Sequence, residues 1–387
     1  MFKSFFIAGF DCTAGYNAHN VRINHTAATQ HDIFLDEDYR RLQEVGIRAA
    51  REGVCWSEVD CHGHYDFSSL RSILNASKRY DIEIIYDLCH FGYPDDLNVF
   101  SREFGNRFAA YCYAAARYIV AHTDATCYFT PMNEPSYFSW AAGHAGLFAP
   151  HLTEQGFDLK VCLVDAAIQG IKAIRAVCPN ARIINVDPVC RVVAPIGKPE
   201  LQQQCDEFNA GAVFQSWDML CGRLLPELGG TREYLDIIGV NYYWTNQWEW
   251  GSSETPLSDN DTRRWPLHKM IGSVWERYGG DLIITETSHI DERRADWLSE
   301  ITCEAEIMLG QNIPLHGICL YPILGMPKWH EQDEWLNMGL WDLVPQSGML
   351  TRIPNGPMMR ALKKSQRLET SANYFGVEAR DKPSTRL

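Results

Sequence analysis

Ala125-Thr126-Cys127-Tyr128-Phe129-Thr130-Pro131-Met132-Asn133-Glu134-Pro135-Ser136-Tyr137 decides how this chain is read. Its first part is largely apolar and predicts a short buried strand over Ala125–Met132. Pro135 keeps the residue before it out of the right-handed helical region, so Glu134 is expected on extended backbone at the strand's end. A carboxylate there is costly to bury unless it has a partner or a task. Leu282-Ile283-Ile284-Thr285-Glu286-Thr287 repeats the pattern much later in the chain, an apolar strand ending in Glu.

Outward from these two points, short apolar runs alternate with amphipathic helices. Strands are expected near Phe5–Asp11, Ile47–Cys55, Ile82–Cys89, Ala125–Met132, Arg182–Asp187, Asp236–Asn241, Leu282–Glu286 and His316–Tyr321. One helix is expected over Leu159–Val177, capped by Asp158 and stopped by Pro179. Others run from Ser68 or Asp66 to about Tyr80, over Phe104–Val120 and over Glu292–Leu309. Eight such βα units predict a single (β/α)8 TIM barrel of parallel strands over residues 1–370. A polar tail at 371–387 follows, and Gly251–Arg264 reads as a long polar loop.

The bulk numbers narrow the function. The 387 residues carry a net charge of −14 with no basic run, which argues against nucleic acid and anionic membrane as partners. No apolar run approaches the ~20 residues of a membrane-spanning helix, and Met1–Phe10 reads as a first strand, not a signal peptide. The 13 Cys are scattered without a repeated Cys-x-x-Cys, as expected of reduced thiols in a cytoplasmic protein. Cys61-His62-Gly63-His64 reads as a plain loop, since no second ligand cluster accompanies it. No metal or cofactor is expected, and nothing in the sequence indicates an oligomeric state.

Barrel enzymes act at the carboxyl ends of their strands. Polar and aromatic residues collect there: Arg51 and Trp56 after strand 2, His90 and Phe91 after strand 3, Asn133 and Glu134 after strand 4. Asn241, Tyr242 and Tyr243 follow strand 6, Glu286 ends strand 7 and Tyr321 follows strand 8. A lone strand-end Glu is ordinarily a solvated loop residue. Two of them, among such neighbours, are what glycoside cleavage needs: one proton donor and one nucleophile.

The ordered set resembles the retaining β-glycosidases of glycoside hydrolase clan A, and most of all glycoside hydrolase family 1, the β-glucosidase group. Thr130–Pro135 is similar to that family's Asn-Glu-Pro acid/base motif, and Ile284-Thr285-Glu286 to its nucleophile strand, with Thr287-Ser288 replacing the usual Asn-Gly. The resemblance implies that Arg51 and Tyr243 bond the nucleophile and that His90 touches the sugar. Gly339-Leu340 resembles the segment after the last strand. Three departures concern sugar reading. The family's Gln after strand 1 has no clear equivalent in Gly15–Asn20, the strand 8 Trp is Tyr321, and the following sugar-reading motif is replaced by Gly325-Met326-Pro327-Lys328-Trp329-His330.

On this reading Glu286 attacks the anomeric carbon while Glu134 protonates the leaving oxygen, then activates water. Their carboxyl groups should stand about 5–5.5 Å apart, and the charge of Glu286 should raise the pKa of Glu134. Asn133 is expected on the sugar's 2-hydroxyl and Asn241 at the substrate. Among Trp56, Trp140, Trp244, Trp329 and Trp335, the last two are favoured for stacking on sugar, although core packing is the ordinary role of any Trp. Lys328 reads as an exposed lysine. Rival readings are a transglycosylase with the same site, a catalytically silent sugar-binding barrel and a metal-dependent hydrolase. The last is weakened because His62 and His64 lie past strand 2.

Overall fold

Runs such as Phe6-Ile7-Ala8-Gly9 and Ile237-Ile238-Gly239-Val240 are buried at every residue, which requires a sheet covered on both faces. A computed structural model describes residues 1–252 and 255–368 of the chain. Its central sheet has eight strands: β1 (Phe6–Gly9), β2 (Ala49–Gly53), β3 (Glu83–Asp87), β4 (Tyr128–Thr130), β5 (Arg182–Pro188), β6 (Ile237–Asn241), β7 (Asp281–Thr287) and β8 (Leu315–Leu320). Each pairs in parallel with the next, and β8 pairs with β1 to close the barrel. This is the (β/α)8 TIM barrel that the alternation predicts.

Ile7, Ala49, Ile85, Tyr128, Ile184, Ile237, Ile283 and Cys319 belong to one buried cluster to which all eight strands contribute. A larger core lies between the strands and the surrounding helices. Each fully buried Ile contributes about 1.5–3 kcal/mol.

Several boundaries differ from expectation. β4 stops at Thr130 because Pro131 has no N–H to give the ladder. The helix expected from Leu159 begins at Gly156, so Asp158 lies in its first turn, where its charge opposes the helix dipole, and is not the cap. The helix Ser68–Tyr80 starts where expected, but its cap position is Phe67; Asp66 accepts from the Ser68 N–H at 2.9 Å. The proposed tail at 371–387 lies outside the described residues.

A buried charged network joins early and late segments. Arg352, on the hairpin strand Met349–Pro354, donates to both oxygens of Asp38 at 2.8 and 3.0 Å. His31 bridges Asp38 (2.8 Å) and Glu52 of β2 (3.1 Å). Burial alone would lower His31, but the charges of Glu52 and Asp38 outweigh it and push the imidazole up to about 9. No helix among the described residues is long and apolar enough to cross a membrane.

Candidate active site

After β4 the chain stays against β5: the Glu134 N–H donates to the Val186 carbonyl at 3.0 Å. Glu134 then turns through left-handed backbone (φ 44°, ψ 63°), and Pro135 opens the helix Pro135–Gly143. The extended backbone expected for Glu134 is thereby corrected. A proline suits the first helical position, where the missing N–H would have no partner, so Pro135 starts a helix and Glu134 makes the corner. Asp187 of β5 accepts from the Ser136 N–H at 3.0 Å and so caps this helix from another strand. The Ser216 hydroxyl donates to its other oxygen. Burial pushes Asp187 up to about 6 despite these bonds.

Glu286 is set by a register shift between β6 and β7. Val240 lies opposite Ile284, yet Asn241 lies opposite Glu286. Asn241 can therefore reach both carboxyl strands. Its Nδ2 donates to Glu134 Oε1 at 2.8 Å, and its Oδ1 accepts from Thr285 Oγ1 at 2.6 Å. Arg51 donates through Nη1 to Glu286 Oε1, and the Tyr243 hydroxyl donates to Oε2 at 2.9 Å. Glu134 and Glu286 are 7% and 4% exposed. Burial and the charge of Glu286 hold Glu134 well above the usual carboxyl range, and the bond from Asn241 is too weak to reverse this. The two carboxyls thus meet different surroundings: burial and its neighbour's charge oppose ionisation of Glu134, whereas Glu286 is ion-paired with Arg51.

Beneath them Arg51 donates through Nη2 to Asp87 and to Asn133 Oδ1, each at 2.7 Å. That contact orients the Asn133 amide, whose Nδ2 faces His90 Nε2 at 3.2 Å. His90 Nδ1 lies 2.9 Å from Asp87. Asp87 draws His90 toward protonation, but a proton on Nε2 would meet the N–H of Asn133. The Asn133 N–H calls for an acceptor at Nε2 and so for a ring proton on Nδ1, while Cys12 and Asp87 outweigh burial and push the imidazole well above its usual value. Tyr321 stacks on His90 (5.7 Å between centroids, 3° between planes), and the Arg51 guanidinium lies 5.2 Å from the Tyr321 centroid. Gly9 makes room for this ring: a Cβ there would lie 2.0 Å from it.

Cys12, Asp87 and His90 offer ligand atoms within 4.8 Å of one another. A cation there would have to displace the Nδ1 proton and would sit beside the Arg51 guanidinium, so the chemistry of the set fits a hydrogen-bond network better than a metal centre.

Glu134, Glu286, Arg51, His90, Asn133, Asn241, Tyr243 and Tyr321 thus come together in one contiguous network. Asn133 bonds Arg51 and faces His90, and Asn241 bonds Glu134 and Thr285. Trp329 is half-buried against Phe91, Phe148 and Tyr137, with centroids 5.5–6.0 Å away. Trp335 stands apart: it pairs with Pro327 on a two-residue strand, is 39% exposed, and no described contact ties it to the carboxyls. Trp56 packs in the core against Phe104, Phe108 and Tyr111, which corrects its candidacy for sugar stacking. Lys328 is exposed and paired with Glu334.

Sequence reasoning missed Asp11, His25, Asp87 and Asp187. Asp11, past the end of β1, accepts from the Thr13 N–H at 2.8 Å and faces His25 Nδ1 at 3.2 Å. Burial would raise Asp11, but His25 outweighs it and holds the carboxyl well below the usual range. The missed acids carry the signal that revealed Glu286, an apolar strand ending in a carboxylate.

No family model and no curated protein matches this chain. Solved structures do. A β-glucosidase from Thermotoga maritima in complex with glucoimidazole superposes with a TM-score of 0.77 at 15% identity, over 94% of this chain and 98% of that one. The AHE enzyme from Alicyclobacillus herbarius gives 0.76 at 19%, over 95% and 99%. At these identities the likeness establishes the barrel fold.

Proposed function

We propose that this protein is a retaining glycosidase that cleaves β-linked glycosides by double displacement. The observation that carries the reading is the contrast between Glu134 and Glu286, linked through Asn241 and Thr285 at adjoining strand ends. Glu286, held by Arg51 and Tyr243, is the nucleophile that attacks the anomeric carbon. Glu134, kept protonated by burial and by the charge of Glu286, delivers its proton to the leaving oxygen. Once Glu286 is esterified by the sugar its charge is gone, so the pKa of Glu134 falls and the same carboxylate takes a proton from the attacking water. The likeness of fold to a β-glucosidase supports the reading.

The test is a panel of aryl β-glycosides on wild type, Glu134→Gln and Glu286→Gly. Glu286→Gly should be nearly inactive and regain turnover with azide, giving a glycosyl azide of inverted configuration. Glu134→Gln should lose least on substrates with good leaving groups. Wild-type rates in both variants would remove these assignments.

A further inference from the structure

Glu134 occupies a backbone conformation that residues with a Cβ avoid, left-handed at φ 44° and ψ 63°. Such a corner persists only where its surroundings fix it. On one side the Val186 carbonyl holds the Glu134 N–H at 3.0 Å. On the other, Asp187 Oδ1 holds the Ser136 N–H at 3.0 Å. Pro135, between them, has no N–H to hold. Val186 and Asp187 are consecutive residues of β5, so one strand grips the corner at both ends.

Glu134 also stands at the position before the helix Pro135–Gly143, whose side chain ordinarily accepts from the N–H two or three residues on. It makes no such bond; its carboxyl accepts from Asn241 at 2.8 Å. A carboxyl folded back onto its own helix could not also reach a leaving group. Asp187 supplies the missing cap from another strand. It is fully buried, and its second oxygen accepts from the Ser216 hydroxyl on the short helix Gln215–Leu220, which is buried too. Beside Ser216, Gln215 accepts from the buried ammonium of Lys160 at 2.8 Å, which ties that helix to the helix Gly156–Val177. The cap is thus braced from behind.

We infer that Asp187 is a positioning residue for the general acid: by capping the helix in place of Glu134, it keeps the Glu134 carboxyl turned toward the leaving oxygen. The inference rests on the glycosidase reading and adds to it how the proton donor is aimed. Without Asp187, Glu134 is itself the side chain next in line to cap the Ser136 N–H.

The experiment compares wild type, Asp187→Ala, Asp187→Asn and Ser216→Ala on β-glycosides whose leaving groups run from dinitrophenol, which departs without a proton, to methoxyphenol, which needs one. Asp187→Ala should lose about ten- to a hundredfold in kcat/KM on the methoxyphenyl glycoside, and about threefold or less on the dinitrophenyl one, because general acid catalysis, worth roughly a hundred- to ten-thousandfold, serves only the first. Its alkaline limb should move to lower pH, since a bond from the Ser136 N–H favours the charged form of Glu134. Asp187→Asn, which keeps an acceptor for Ser136, should recover most of the loss. Circular dichroism checks folding. Should Asp187→Ala not fold, Ser216→Ala, which loosens Asp187 but leaves its carboxyl, should show the same dependence on leaving group at smaller size. A loss equal on every leaving group, no loss, or no recovery by Asn overturns the inference and leaves the glycosidase reading standing. A wild type that cleaves none of the glycosides removes both.

Discussion

Asn241 donates to Glu134 and accepts from Thr285, so it favours the charged form of the Glu134 carboxyl against burial and against Glu286. Removing that donor should raise the pKa of Glu134 further. In a bell-shaped profile the alkaline limb reports loss of the catalytic proton. We therefore expect Asn241→Ala to shift the alkaline limb of kcat/KM to higher pH while lowering the maximum, measured as a pH–rate profile on an activated glycoside. A limb that moves to lower pH would mean that the group titrating there is not Glu134. Residues of this kind were legible in the sequence when a charge interrupted an apolar strand end, as at Arg51 and Glu286. Asp11 and Asp87 carry the same mark, but their partners, His25 and Arg51, come from other loops and strands, and no local pattern announces such a pairing.

The corner at Pro131–Pro135 shows what happens between residue and fold. Two prolines end β4 early and start a helix, and Asp187 from β5 caps that helix through Ser136. Asp187 has its pKa raised to about 6, so the stability it contributes is present below the ordinary carboxyl range and lost as pH rises through about 6. Asn keeps the acceptor for Ser136 and never ionises. Asp187→Asn should thus equal or exceed wild type in stability at pH 8, by at most about 3 kcal/mol. Asp187→Ala should lose the cap, about 1 kcal/mol even at pH 4. Urea unfolding at both pH values checks the pair. The strand's existence was readable from Ala125–Phe129; the helix after it was not, because a proline reads equally as a breaker and as a first residue.

Across the whole molecule, the order of strands and helices was legible because apolar runs and amphipathic periods alternate eight times, and parallel pairing follows from that alternation. What could not be read was how distant segments lock. His31 illustrates the energetic side. Its pKa is raised to about 9, so its contribution is fully present below about 6.5 and lost as pH rises through 9. That amounts to about 3 kcal/mol between the two states. We expect the unfolding free energy of wild type to fall between pH 6.5 and 9, and His31→Gln to be weaker at pH 6 and to show a flatter decline.

The bond between Arg352 and Asp38 spans 314 positions of chain. During synthesis the acid is therefore made long before its base. A nascent polypeptide halted at residue 340 holds Asp38 with His31 but without the guanidinium of Arg352, and the helix that carries Asp38 stays untied from the late hairpin. Stalled ribosome complexes should accordingly remain open to protease until residue 352 has cleared the exit tunnel, and gain resistance in one step thereafter.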